Sequence, residues 1–446
     1  MNTIAFRRKF SDILIDKCRV ANNDIILVAF SGGADSMALL HLLKNEGCKC
    51  IAAHCNFHLR ADESDADALF AEEVCNRLKV RFHKTDFDTR TFAEERGLSI
   101  EMAARQLRYD WFEKLMKETG ATLLATGHHG NDNIETFFLN LSRGTGLKGL
   151  TGMSFRSGSI IRPLLFASAD EIRDYCKVEG FDYRIDSTNL ESDYQRNKIR
   201  NLIVPLFEEL NPSFFATMQN NLSYLSDTYG IFKAEADSFR ERIVAQSGDS
   251  ILIPIENIKE HPYRGALLFE ILQPYGFQGQ MISAVIKSLD GIPGRQFFSH
   301  SHRLVLDRFN LLVVPITELD KSSHAIEGGV SEISVPIKMS ISIFDKPDNY
   351  KVSRDPNTAH FDAGLVEFPL FLRKSQQGDR FMPLGMKQFK KISDLFIDLK
   401  MSLIDKENSW LLCNGDDIMW VVGVRIDDRY KIRANTRKIL EIKVNP

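Results

Sequence analysis

The chain has 446 residues, 43% hydrophobic and 26% charged, with a formal net charge of −3. That length exceeds what a single hydrophobic core supports, so two or three domains are expected. No run approaches the roughly 18 apolar residues that a membrane helix needs, which excludes such a span, and the small negative charge gives no whole-molecule attraction to nucleic acid.

Residues 1–17 place apolar and charged side chains at helical spacing without an apolar run ending in small residues. This is not a signal peptide, and a cytoplasmic protein with no membrane partner is expected. Short apolar or β-branched runs at 24–30, 49–55, 81–87 and 122–126 predict strands. Helical patterns at 36–46, 64–78 and 100–118 separate them, the last opening behind Ser99 as N-cap. The alternation predicts a doubly wound α/β domain with a parallel sheet over residues 1–210, its functional groups gathered at the C-terminal ends of the strands.

A long amphipathic helix is expected at 214–246, and the helical pattern resumes over 262–289. Glycines at 291 and 294 break it, and apolar runs at 303–306 and 311–314 suggest a small hairpin. A mainly helical domain over 211–321 follows, with 322–329 as linker. Apolar or alternating runs at 333–344, 368–373, 410–414 and 418–424, with a helix at 393–399, predict a small α+β domain over 330–446. From residue 371 onward there are 15 Lys+Arg against 10 Asp+Glu, leaving 42 against 50 elsewhere. A basic C-terminal module fits RNA contact, and also fits a solvated surface.

Seven cysteines are scattered along the chain with no Cys-x-x-Cys pair, so reduced, structural thiols are expected. Cys48 and Cys50 fall at the start of a predicted strand, where two side chains on one face pack rather than react.

The chemistry is carried by Phe30-Ser31-Gly32-Gly33-Ala34-Asp35-Ser36, which follows a predicted strand and opens a helix. In that context adjacent glycines let backbone N–H groups and a helix N-terminus approach a phosphate. Ser31 and Ser36 can donate hydroxyls, and Asp35 can hold Mg2+. Ser-Gly-Gly is also a common flexible turn; the strand-loop-helix setting favours the phosphate role. The lysine-bearing Gly-x-x-x-x-Gly-Lys loop of kinases is absent.

The segment is similar to the pyrophosphate-binding loop of the N-type ATP pyrophosphatases, which cleave ATP between the α- and β-phosphates and adenylate their substrates. Further motifs follow in order: His54-Cys55-Asn56-Phe57-His58-Leu59-Arg60, Glu63-Ser64-Asp65, Ala103-Ala104-Arg105-Gln106-Leu107-Arg108-Tyr109, and His128-His129-Gly130-Asn131-Asp132-Asn133-Ile134-Glu135-Thr136. Then come Arg143-Gly144-Thr145-Gly146, Arg162-Pro163-Leu164, Asp186-Ser187-Thr188-Asn189 and Arg196-Asn197-x-x-Arg200. Gly378-Asp379-Arg380 and Lys390-Lys391-Ile392-Ser393-Asp394 close the series. Together they resemble the tRNA(Ile)-lysidine synthetase family. This chain departs from the family in having Asn131 for the first of two aspartates and Asn133 for a glutamine.

The resemblance implies that ATP adenylates the wobble cytidine in the CAU anticodon of isoleucine tRNA. Lysine then replaces the oxygen on carbon 2, releasing AMP and pyrophosphate and changing codon reading from AUG to AUA. It implies Ser31, Gly32, Gly33, Ala34, Asp35 and Ser36 for ATP, and Asp35 for Mg2+. It further implies Asp35, Arg105, Asp132 and Glu135 for catalysis, and His58, Arg60, Arg108, Arg196 and Arg200 for substrate. The helical and C-terminal modules would grip the tRNA, and the family admits a homodimer. Lysine's ε-ammonium, with a reference pKa of about 10.4, must lose a proton before attack. Asp132 or Glu135 is expected to bind lysine or take that proton, with His128 or His129 as relay. Each has a plain alternative: helix capping for the acids, backbone bonding for the histidines, surface pairing for the arginines. Two rivals stay open, a tRNA thiolase sharing the adenylation step and a non-catalytic tRNA-binding relative.

Overall fold

Ile-Ile-Leu-Val-Ala at Ile25–Ala29 is apolar on both faces, the composition of a strand covered by helices on either side. In the computed structural model, which describes residues 2–59, 62–184, 194–316 and 322–445, it lies inside a six-stranded sheet. The first half runs α1 (Thr3–Asp16), β1 (Ile25–Ala29), α2 (Ala34–Asn45), β2 (Lys49–Asn56), α3 (Asp62–Arg77), β3 (Arg81–Asp86), α4 (Thr89–Arg96), α5 (Ile100–Thr119) and β4 (Leu123–Ala125). It continues with α6 (Gly130–Arg143), α7 (Leu147–Leu150), β5 (Arg156–Ser157), β6 (Ile160–Ile161), α8 (Ala169–Glu179), α9 (Tyr194–Lys198), α10 (Val204–Leu210) and α11 (Phe214–Ile243).

The strand order is β3-β2-β1-β4-β6-β5, parallel except for the edge strand β5. Ile26 and Val28 of β1 join Phe10, Leu39 and Tyr175 in one buried cluster, so α1, α2 and α8 cover that face. Leu27 joins Phe112, Leu115 and Leu124 on the other, under α5. The chain goes one way from β1 to β2 and β3, and the other way to β4. Such a reversal opens a crevice at the C-terminal strand ends. All four expected strands and all three intervening helices are present, whereas β5 and β6, two residues each, are too short to show a pattern in sequence.

The described chain divides into two compact units, Met1–Ala234 and Glu235–Pro446, the division falling within α11. The second unit contains a five-stranded antiparallel sheet, Ala245–Ser247, Ser250–Pro254, Asn310–Pro315, His302–Leu306 and Gln296–Phe298 in spatial order, with helices Arg264–Leu272 and Gly279–Ser288. The expected hairpin is its His302–Leu306 and Asn310–Pro315 pair. Helix was expected to run to residue 246, but it stops at Ile243. Ala245–Ser247 then pairs as a fully exposed edge strand whose polar residues carry no apolar alternation.

Three further sheets, of five, four and two strands, form the C-terminal part, and Met339, Leu370, Leu372, Trp420 and Leu440 fill the core shared by the two larger ones. Helix Ile392–Asp398 covers a second cluster around Phe381 and Leu411. The single strand expected at 333–344 is a hairpin instead, Glu332–Ile333 against Met339–Asp345, with Pro336 in the intervening turn. Within the expected linker, His324–Ile326 pairs with Leu370–Lys374 and buries Ile326. Among the described residues no helix is long and apolar enough to cross a membrane.

Leu27 is fully buried at the centre of the first sheet. Leu27→Ala is expected to lower unfolding free energy by about 3 kcal/mol, the usual cost of the lost transfer energy and the cavity; urea denaturation followed by circular dichroism measures it.

Candidate active site

The ends of β1, β2 and β4 meet α5 and α6 around a cleft of about 400 Å³. Phe30, Ser31, Asp35 and Ser36 come from the first crossover, Cys55 and Phe57 from the second strand's end, Arg108 and Tyr109 from α5, and Thr126, Gly127, His128 and Asp132 from the last crossover.

The glycine loop is held from within. Gly32 has φ +84°, a left-handed backbone that suits glycine, and its N–H donates to Ser36 Oγ at 3.1 Å. Gly33 N–H donates to Ser31 Oγ at 3.3 Å, and Ser36 Oγ donates to the Gly33 carbonyl at 3.0 Å. No side chain caps α2 behind Gly33, which leaves its first N–H groups for a ligand. Two residues outside the motif fasten the loop. Arg184 N–H donates to the Gly32 carbonyl at 2.9 Å while its Nε donates to Asp67 at 2.6 Å. A Cβ on Gly127 would stand 3.2 Å from the backbone of Asp35, so a side chain there would press on the loop. A glycine directly after a predicted strand was the available signal for Gly127; Arg184 is 152 residues from Gly32 and gave none.

The acids of the last crossover take different places. Asp132 lines the cleft and also caps α6, accepting the His129 N–H at 3.0 Å. His129 Nε2 stands 3.6 Å from Asp132 and 3.9 Å from Asp35, drawing the two carboxylates to one imidazole. Burial works to raise the Asp132 carboxyl, but His129, His128, the capping N–H and Arg196 outweigh it and hold it below the ordinary carboxylate range. Asp35 goes the other way: burial raises it, His129 opposes, and the like charge of Asp132 adds to the rise. His128 receives a hydrogen-bond partner in Thr126 Oγ1 at 2.8 Å, and burial holds its imidazole down to about 4, so it is neutral at pH 7.

Glu135 was expected to bind lysine or accept its proton. Its side chain is 2% exposed, and both oxygens are taken: Arg196 Nε donates to one at 2.6 Å and Arg200 Nε to the other at 2.6 Å. The same arginines reach Asp132 at 3.4 and 3.8 Å. Glu135 therefore orients two guanidinium groups, a role that replaces the direct contact expected from sequence. The arginines flank the start of a π-helical turn, Ile199–Ile203, between α9 and α10. Such turns re-aim side chains without ending a helix.

The two departures from the family pattern have structural partners. Asn131 Oδ1 accepts the N–H of Ala169, the first residue of α8, at 2.9 Å. Asn133 Oδ1 accepts the Met153 N–H at 2.5 Å, tethering the chain beyond Gly152, whose φ is +67°. Neither needs a charge for this.

The other expected residues scatter. Arg108 lines the cleft with its guanidinium 5.1 Å from the Phe57 ring, whereas Arg105 is exposed, over Tyr109 at 4.9 Å, and does not line it. His58 lies outside the cleft, bonded to Asp86 at 3.0 Å. Arg60 and the segment Asp186-Ser187-Thr188-Asn189 fall outside the described residues.

Asn131→Asp keeps the acceptor for Ala169 and is expected to change stability by no more than about 0.5 kcal/mol. Asn131→Ala leaves that N–H unpaired and is expected to cost about 1 kcal/mol; denaturant titration of both variants checks the pair. For His128 the sign follows from its depressed folded-state pKa. Between the ordinary value of 6.5 and about 4 the unfolded chain binds a proton that the folded chain refuses, so stability is lost as pH falls through that window. Urea midpoints measured across it should fall with acidification, and His128→Gln should flatten the slope.

Comparison with known proteins adds to this geometry. A model of the PP-loop domain matches residues 2–207, one of the TilS substrate binding domain residues 246–316, and one of the TilS substrate C-terminal domain residues 370–442. The tRNA(Ile)-lysidine synthase of Bacteroides thetaiotaomicron is 41% identical over 95% of this chain and 96% of its own. Those of Parabacteroides distasonis and Porphyromonas gingivalis are each 41% identical, covering 96% and 97%, and 92% and 92%, of the two chains respectively. With a cleft built on the glycine loop and relatives aligned over nearly their full length, the chain belongs to the tRNA(Ile)-lysidine synthase family.

Proposed function

We propose that this protein uses ATP to join lysine to carbon 2 of the wobble cytidine in the CAU anticodon of isoleucine tRNA, forming lysidine, AMP and pyrophosphate. The observation that carries the reading is the placement of Asp35 and Asp132, with the glycine loop, on one cleft. Phosphate and an amine nucleophile both need that arrangement. The cytosine oxygen attacks the α-phosphorus of ATP, and pyrophosphate leaves against the uncapped N–H groups at the start of α2, Ala34 to Ser36. The oxygen, now part of an AMP leaving group, departs when lysine's ε-nitrogen bonds to carbon 2.

Asp132, ionised throughout the neutral range, is a strong counter-charge and a weak base, so it holds the lysine ammonium. His128, neutral because burial holds it down to about 4, is itself a poor base and serves as a hydrogen-bonding relay on the proton's way to solvent. Glu135 acts through Arg196 and Arg200, which reach Asp132 at the cleft wall at 3.4 and 3.8 Å and would add positive charge beside the phosphates. Arg108 closes the aromatic side of the cleft; Arg105 is left to contact RNA outside it. Asp35 and Asp132 also offer the hard oxygen donors that suit Mg2+, and the raised pKa of Asp35 is relieved by a cation. When bound, the ion neutralises phosphate charge. Residues 1–210 would then supply catalysis, with 211–321 and 330–446 gripping the tRNA, in the cytoplasm; sedimentation would show whether a homodimer forms.

A thiolase fits less well. Burial pushes the Cys50 and Cys55 thiols up to about 12, leaving them protonated and poorly nucleophilic.

With isoleucine tRNA bearing a CAU anticodon, ATP and Mg2+, labelled lysine is expected in the RNA, and Asp35→Ala should lower the rate at least about a hundredfold. Tight tRNA binding by the wild type without incorporation would overturn the assignment in favour of a binding-only relative.

A further inference from the structure

A second cavity of about 260 Å³ lies beside the cleft and shares Phe57 with it. Its other walls include His58, Asp86, Phe87, Asp88 and Arg90. None of these takes part in the chemistry above, and His58 is a motif residue that the cleft leaves out. We infer that this cavity receives the adenine that follows the wobble cytidine in the CAU anticodon, stacked on Phe87 and Phe57 and read through its exocyclic amino group by Asp86.

The inference rests on the proposed tRNA reading and deepens it. Phe57 borders both spaces, so a nucleotide adjoining the one in the cleft meets this cavity next. Phe57 and Phe87 are half-buried rings with centroids 5.6 Å apart and planes at 23°, presenting aromatic surface of the kind on which unpaired bases stack. The polar groups select the ligand. Asp86 and Asp88 make the rim unfavourable for a phosphate and for a base edge carrying only acceptors. Asp88 is committed to capping α4, where it accepts from Thr91. Asp86 accepts a bond from His58 at 3.0 Å on one oxygen and faces Lys84 Nζ at 3.5 Å on the other, and as a carboxylate has further lone pairs for an amino group. Arg90 is exposed and has no hydrogen-bond or ion-pair partner among the described residues, so it is available for the sugar-phosphate that links the two bases.

The test is binding of the full chain to fluorescent isoleucine tRNA by anisotropy. The nucleotide after the wobble cytidine is adenosine, purine riboside without the amino group, or abasic. The abasic tRNA is expected to bind wild type about ten- to a hundredfold more weakly, and the purine tRNA about tenfold more weakly. Phe87→Leu, which keeps the apolar volume under Trp111, should weaken binding of intact tRNA by a similar factor yet lose little more on the abasic tRNA. Arg90→Ala, at an exposed position, should weaken all three tRNAs about equally and reduce the salt dependence of binding. Equal binding of intact and abasic tRNA by wild type would overturn the inference, as would abasic and Phe87→Leu losses that simply multiply. Because binding is measured without turnover, a failure to ligate lysine would count against the functional reading and leave this one to be decided by the binding data.

Discussion

Three carboxylates, Asp35, Asp132 and Glu135, must share the end of one parallel sheet without forcing each other to protonate. Two arginines and a histidine make this tolerable. Arg196 and Arg200 close on the buried Glu135 with paired Nε–O distances of 2.6 Å and extend to Asp132, while His129 stands between Asp132 and Asp35. A buried carboxylate without such partners would give up its charge. The cluster therefore sets the two acids at its edge apart, with Asp132 held below the ordinary carboxylate range and Asp35 raised above it.

The fold serves that cluster by convergence. The reversal of strand order at β1 brings the glycine loop and the His128–Glu135 segment to neighbouring strand ends, and Gly127 permits the two crossovers to pack closely. Arg184 then joins the loop to α3 through Gly32 and Asp67. These are long-range ties made by single residues, and they hold the loop in its shape.

Much of this was legible in the sequence where the determinants are local. The loop Ser31–Ser36 sits between a strand and a helix whose patterns are clear within a few residues, and the parallel order follows from alternating elements. What was illegible depends on distant partners. Nothing near Glu135 shows that its oxygens are saturated, because Arg196 and Arg200 lie 61 and 65 residues away. Likewise Asn131 looked like a lost acid until the N–H of Ala169 supplied its use. The polar edge strand Ala245–Ser247 was invisible because edge residues facing water carry no apolar period. His58 lines a second cavity beside the cleft rather than the cleft itself, a placement that motif order does not encode.

The account turns on adenylation of the base preceding lysine attack, and isotopic labelling tests that step directly. Isoleucine tRNA carrying oxygen-18 on carbon 2 of the wobble cytidine is turned over with ATP, lysine and this protein, and the released AMP is examined by mass spectrometry. The account predicts one labelled oxygen in AMP for each lysine incorporated. Lysine incorporation with unlabelled AMP, the label passing to water or to pyrophosphate, would contradict it.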